Sequence, residues 1–486
     1  MKAKDIKTCY ACCIGLVLAK ILTLNGSSLR YNMLSFISFF IENYIVKKAT
    51  FLLLLCCLFN FLPKAQAYNP PASFMVEYKL LYSYTQDSLD RFWKANKIPQ
   101  ILMPVENAVD MYEISYKGLW LDSSFVLAKG VLYVPKSEKP LAEMVYCHGT
   151  RISVDQSYGI QDLEQVVTMM HAADGYISYF PFYYGLGGGE KEHIYHDAFT
   201  EAMSVIYMVK ACREIFPALN VKTSGQLFVT GYSQGGHAAM ATHKMLETGA
   251  FPDVQITASS PMAGAYDLTG VQAKTMFIEY DRPHYLPYLL ISYQYAYHMW
   301  EDDIYTVFKS PYDVDMARYF ALPRVFDYGY LDSVLPRIPK NMVIDSLISI
   351  FQTDTNFIFT AKLRENNLYN WTPIAPMQLC ACYGDNEVLY QNTEKAYSYM
   401  KPNAPRVTKR IFGKHLSHNP CAPLAMVYTK TYFNNIRKGK KKPEKVGFGK
   451  GFIMAIGIAQ ANKQAKKHKK STGQVEDDPM AARKKK

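Results

Sequence analysis

Gly231-Tyr232-Ser233-Gln234-Gly235-Gly236-His237 is the stretch on which the fold turns. Before it runs Gln226-Leu227-Phe228-Val229-Thr230, short, apolar and β-prone, which predicts a buried strand. After it, Ala238 to Glu247 predicts a helix that Gly249 stops. A serine between glycines at such a junction stands on a tight, strained turn with its hydroxyl clear of the sheet. The glycines are required because side chains there would collide with the neighbouring strand and helix. A plain glycine-rich loop would not need both flanks to be correct. Ser233 is the candidate nucleophile. His237 and His243, in the helix behind it, read as structural.

A serine alone is a weak nucleophile, so a base and an acid should follow. Pro376 to Val388 reads as a strand, Met377-Gln378-Leu379-Cys380-Ala381-Cys382, opening into Gly384-Asp385. Asp385 lies 152 positions beyond Ser233 and is the candidate acid; its bland alternative is a turn aspartate. A last strand, Arg406 to Phe412, runs into Gly413-Lys414-His415-Leu416-Ser417-His418-Asn419-Pro420 and a helix reaching Phe433. His418, closer to the helix start, is preferred over His415 as the base. The resulting order, serine, acid, histidine, fits one specific arrangement of parallel strands.

Toward the N-terminus, Met111–Tyr116 and Phe125–Pro135 alternate like antiparallel edge strands. Met144-Val145-Tyr146-Cys147 is a strand opening into His148-Gly149-Thr150. Backbone N–H groups of Thr150 and Gln234 are the expected oxyanion donors. Tyr176–Phe180 is a further strand, followed by Pro181-Phe182-Tyr183-Tyr184-Gly185-Leu186-Gly187-Gly188-Gly189. No Lys-Ser/Thr follows that loop in the place a phosphate cradle needs, so it reads as an active-site rim. Tyr183, Tyr184 and His148 are the candidate substrate contacts. A helix near Ala198–Phe216 and a strand at Val254–Ser260 complete an alternation that implies a mostly parallel sheet flanked by helices. Residues 267–372 break the rhythm with tyrosine-rich and apolar helical stripes, Tyr285–Tyr295 and Met342–Phe351. They predict a helical insertion capping the site, able to line an acyl or aromatic pocket.

The net charge of +12 is unevenly spread. Residues 437–486 hold 16 basic and 4 acidic groups, and residues 1–67 hold 8 and 2, leaving a mildly acidic middle. That distribution argues against a nucleic-acid-binding domain. Lys47-Lys48, the apolar run to Leu58 and Ala65-Gln66-Ala67 form a signal peptide cleaved after Ala67, or a membrane anchor if cleavage fails. Initiation at Met1, Met33 or a GTG codon at Val46 is left open, the last making residues 1–45 an over-extended frame. Five cysteines follow the cleavage site: Cys147, Cys212, Cys380, Cys382 and Cys421. Such a count leaves a free thiol, and although Cys382 and Cys421 flank proposed catalytic residues their pairing is not favoured. No Cys/His spacing suits zinc, and no metal or organic cofactor is needed. The expected organisation is 68–266 and 373–436 as one core, 267–372 as the cap, and 437–486 as a basic solvated tail. Weak membrane-surface contact through that tail is the alternative.

From Tyr68 to Phe433 the residues resemble the secretory lipase family of α/β-hydrolases and its bacterial relatives. The resemblance rests on His148-Gly149-Thr150, Tyr183-x-Gly185-Leu186-Gly187, Gly231-x-Ser233-Gln234-Gly235-Gly236, Gly384-Asp385 with Val388, and His418 with Ala422-Pro423-x-Ala425. Phe182 departs from it, standing where an aspartate is expected. The resemblance implies an α/β-hydrolase fold with a helical cap and a Ser-Asp-His esterase or lipase acting on ester or lipid substrates outside the cytoplasm. A serine peptidase, or a non-catalytic binding protein on the same scaffold, are the competing functions; reaction of Ser233 with a fluorophosphonate would exclude the second.

Overall fold

The computed structural model describes residues 70–464, apart from 156, 302, 321–327, 448–450, 452–453 and 461. The expected signal peptide, the start site and the end of the basic tail lie outside the described residues. Among the described residues a nine-stranded sheet runs in the order β1-β2-β3-β5-β4-β6-β7-β8-β9. Its strands are β1 (Met75–Tyr84), β2 (Val109–Leu119), β3 (Phe125–Pro135), β4 (Leu141–Cys147), β5 (Tyr176–Pro181), β6 (Thr223–Tyr232), β7 (Ala258–Met262), β8 (Met377–Cys382) and β9 (Val407–Phe412). The first three and β5 pair antiparallel, β1 to β2 to β3 to β5. From β5 onward the ladder is parallel. Parallel strands covered on both faces should be apolar throughout rather than alternating. β4, β5, β7 and β8 follow that rule, buried along nearly their whole length.

Helices α1 (Gln86–Ala95), α2 (Leu163–Ala173), α3 (Ala198–Ile215) and α4 (Gln234–Leu246) precede the insertion. Side-chain caps start three of them: Thr85 for α1, Asp162 for α2 and Asp197 for α3. α3 and α4 pack on each other, α4 also on β6 and β7. Between β7 and β8 the chain is helical, through α5 (Tyr285–Tyr297), α6 (Tyr312–Phe320), α7 (Tyr328–Val334), α8 (Asp345–Thr353) and α9 (Ile358–Glu365). α10 (Gln391–Met400) and α11 (His418–Arg437) close the core. Each fully buried large apolar side chain contributes about 1.5–3 kcal/mol, and α11 packs against β6, β7 and β8, with Phe433 on Phe228 of β6.

Four features depart from the sequence reading. β7 begins at Ala258 rather than Val254, because Val254 closes a turn onto the Phe251 carbonyl. β1 and α1, on which the sequence carried no assignment, extend the sheet and add a helix. Cys382 and Cys421 form a disulfide, since the end of β8 and the first turn of α11 converge where the proposed acid and base meet. Residues 438–445 are tied down rather than loose: Asn435 donates to the carbonyls of Pro443 and Lys445, and Arg410 to that of Glu444. Among the described residues no helix is long and apolar enough to cross a membrane.

Candidate active site

The turn between β6 and α4 forces Ser233 to φ 62° and ψ −122°, a conformation costly for any residue with a Cβ. Three close approaches hold it there. A Cβ on Gly235 would strike the Cys147 carbonyl, one on Gly236 the Met262 carbonyl, and one on Gly231 the Gly235 and Cys147 carbonyls. Ser233 N–H donates to Met262 O at 3.0 Å, and Gly236 N–H to Ser233 O at 2.9 Å. β4 lies beside β6 with Cys147 opposite Gly231, so the chain leaving β4 as His148-Gly149-Thr150 emerges next to the serine.

Beyond β8, the Asp385 carboxylate accepts the N–H groups of Glu387 at 3.0 Å and Val388 at 2.9 Å. Its two oxygens sit 2.8 and 3.0 Å from His418 Nδ1. It is His418, not His415, that meets the acid. Nδ1 is thereby fixed as the protonated nitrogen, leaving Nε2 free to accept a proton. Tyr232 steadies the same histidine, donating to its carbonyl at 2.6 Å and laying its ring 4.8 Å from the imidazole. Burial opposes a charged imidazole, yet the Asp385 carboxylate and its hydrogen bond hold the His418 pKa above its usual value.

Ser233 and His418 line one cleft of about 860 Å³, together with Gly149, Thr150, Glu164, Glu387 and Tyr285. Two acidic residues here escaped the sequence reading. Glu164 accepts the Gly149 N–H at 2.8 Å and the Tyr146 hydroxyl at 3.2 Å, and pairs with Arg151 at 3.2 Å. It thereby pins the turn that presents Thr150. Burial pushes its carboxyl pKa up despite Arg151. Glu387 accepts from Arg282 Nε at 3.1 Å and Tyr285 at 3.3 Å, and Arg282 continues to Asp332 at 2.9 Å. The insertion therefore grips the acid-bearing loop. The only signal for Glu387 was its place two residues after Asp385.

The proposed rim residues sit elsewhere. His148, Tyr183 and Tyr184 are buried and none lines the cleft. Tyr183 donates to the His148 carbonyl at 3.0 Å, and Tyr184 packs edge-on against Trp120. Burial, with Arg151 nearby, drives the His148 pKa down to about 3. Phe182 is buried too, its ring against Gly187 and its carbonyl 3.1 Å from His148 Nε2. The glycine-rich loop is thus folded inward, and Tyr183 packs against the His148-Gly149-Thr150 turn.

Behind the elbow, His196, Glu201 and His237 bring potential metal-ligand atoms within 4.8 Å of one another. Hydrogen bonds already occupy both nitrogens of His237, Nδ1 on Glu201 at 2.7 Å and Nε2 near Asn366 O at 3.0 Å. Glu201 also accepts from the Gln234 side chain at 2.8 Å. Glu201 thus ties together His237 and Gln234 of α4, Gln234 being the residue next to the candidate nucleophile.

No protein-family model matches the chain, and no curated protein matches it in sequence. Solved structures do resemble it. A Legionella pneumophila protein assigned as a hydrolase superposes with a TM-score of 0.69 at 23% identity, over 75% of this chain and 99% of that one. The rice cell wall degrading esterase LipA from Xanthomonas oryzae gives 0.65 at 22%, over 77% and 100%. Candida antarctica lipase A in its closed state gives 0.56 at 12%, over 77% and 86%. With the parallel ladder, the strained elbow and the order of elements, these likenesses identify the chain's architecture as the α/β-hydrolase fold.

Proposed function

We propose that the chain is a serine hydrolase of carboxylic esters, a relative of the secretory lipases, working through Ser233, His418 and Asp385. The observation that carries this reading is the pairing of Asp385 with His418 Nδ1 at 2.8 Å beside the cleft that also holds the strained Ser233. His418 Nε2 takes the Ser233 proton as the oxygen attacks the ester carbonyl. Asp385 keeps the imidazole in the required tautomer and offsets its charge. The N–H groups of Thr150 and Gln234 receive the oxyanion, each worth about 3–4 kcal/mol in systems of this kind. The alcohol leaves with the proton from His418, and water, activated by the same base, releases the acid. Esterase and lipase neighbours of the same fold favour this chemistry over peptide hydrolysis.

Export through the segment ending at Ala67 is part of the proposal. The Cys382–Cys421 disulfide supports it, because such bonds persist in oxidising compartments. Purified mature protein should hydrolyse p-nitrophenyl acetate, and Ser233→Ala should lower turnover by about 10⁴-fold or more while circular dichroism is unchanged. Equal turnover by the variant would remove Ser233 from the site.

A further inference from the structure

The cleft does not stop at the catalytic groups. It continues between α1, α2 and α11, and among the described residues of the insertion Tyr285 alone lines its wall. Phe92 and Ile98 line it from α1 and the turn after it, Val167 and Met170 from α2, Met426 and Val427 from α11. Along α2 the apolar lining positions 163, 166, 167 and 170 follow helical spacing, with Glu164 beside them at the catalytic end, so one side of the helix that faces the cleft is largely apolar. Leu163, on that face, is 83% exposed. Exposed apolar faces opposed across a groove mark binding surfaces. Away from the catalytic end the polar lining is Asn96, Lys97 and Asn419. A cavity beneath the insertion, walled by Leu286, Leu289 and Met276, offers about 60 Å³ and touches neither Ser233 nor His418. It is too small for a chain.

We infer that the groove between α1, α2 and α11 holds the aliphatic chain of an amphiphilic ester. This inference rests on the hydrolase reading above. It moves the apolar pocket from the insertion, where the sequence pointed, to the opposite wall of the cleft. The carbonyl lies at Ser233 and the chain runs along the α2 face toward Leu163. The insertion then serves to hold Glu387 and the acid loop rather than to bind the chain.

The test uses the mature protein and two ester series. One is p-nitrophenyl acetate through palmitate; the other is butyrates of lengthening alcohols. The two tell whether the chain belongs to the acid or the alcohol. In the series that carries the chain, kcat/KM should rise by up to about fourfold per added methylene until the groove is filled. Val167→Trp and Met426→Trp should each cut the long-to-short kcat/KM ratio at least tenfold, whereas Leu289→Trp should leave that ratio as in the wild type. A profile flat in both series, or a ratio lost only in Leu289→Trp, overturns the inference. A second measurement needs no variant: a long-chain alkyl fluorophosphonate tipped with a diazirine is photolysed on the wild-type protein. Crosslinks in residues 86–103, 163–173 or 419–427 support the groove, and crosslinks confined to 267–372 overturn it. If short fluorophosphonates fail to label Ser233, the hydrolase reading itself fails; labelling with a flat chain profile sinks only the groove.

Discussion

Asp385 is matched to His418 on one side and to two backbone N–H groups on the other, so its charge is held in place before any substrate arrives. The sign of the pH effect follows. Only neutral His418 can accept the serine proton, and its pKa is raised, so kcat/KM should fall as pH drops through a midpoint above the usual histidine value of about 6.5. Asp385→Asn should lower kcat by about 10⁴-fold and move that midpoint down, because the carboxylate is what favours the charged ring. A midpoint that stays put would mean another group governs the limb. At this scale the sequence was most readable for residues whose role needs a local signature. Ser233 announced itself through flanking glycines, and Asp385 and His418 through strand ends in the correct order. Glu164 did not, because an acid in the first turn of an amphipathic helix looks the same whether it faces solvent or the Gly149 N–H. Tyr183 and Tyr184 misled for the converse reason. Glycine-rich loops usually lie at the surface, and nothing local shows that this one is buried against Trp120 and His148.

Among elements, β4, β6 and α4 came from the sequence with small errors in their ends, since apolar runs and glycine stops are local properties. The insertion was legible as helical but not in its contacts. Its Arg282 reaches Glu387, and Tyr280 donates to the Glu387 carbonyl at 2.8 Å. Those pairings span about a hundred residues and carry no periodic signal. They have a measurable consequence. Arg282 opposes protonation of His418, as a cation near a cation must. Arg282→Met should therefore shift the acid limb of kcat/KM to higher pH, the reverse of Asp385→Asn, with a loss in rate of about tenfold as Glu387 loses its partner. A shift in the same direction for both variants would contradict the electrostatic order assigned here. The Cys382–Cys421 link belongs to this scale too. Closing a loop between positions 39 apart stabilises by about 2–4 kcal/mol, and it does so beside the proposed acid and base.

Over the whole molecule, the fold was legible because alternating strands and helices admit few topologies, and the serine-acid-histidine order selects among them. What composition could not give was the direction of the cleft. Tyrosine-rich helices in residues 267–372 suggested an apolar pocket there, whereas among the described residues the apolar wall of the cleft at Ser233 comes mainly from α1, α2 and α11. Apart from Tyr285, several of the insertion's aromatics pack inward, as where Tyr288 stacks on Tyr195 and Tyr293 meets Phe359. All of these conclusions depend on Ser233 being the group that attacks, with His418 as its base. The most direct measurement is intact-mass spectrometry of the mature protein after a short exposure to a fluorophosphonate, followed by peptide mapping. One phosphonyl group per chain is predicted, on the peptide containing Ser233, absent in Ser233→Ala and slowed at least a hundredfold in His418→Ala. An unmodified wild-type protein, or a label that survives Ser233→Ala, would contradict it.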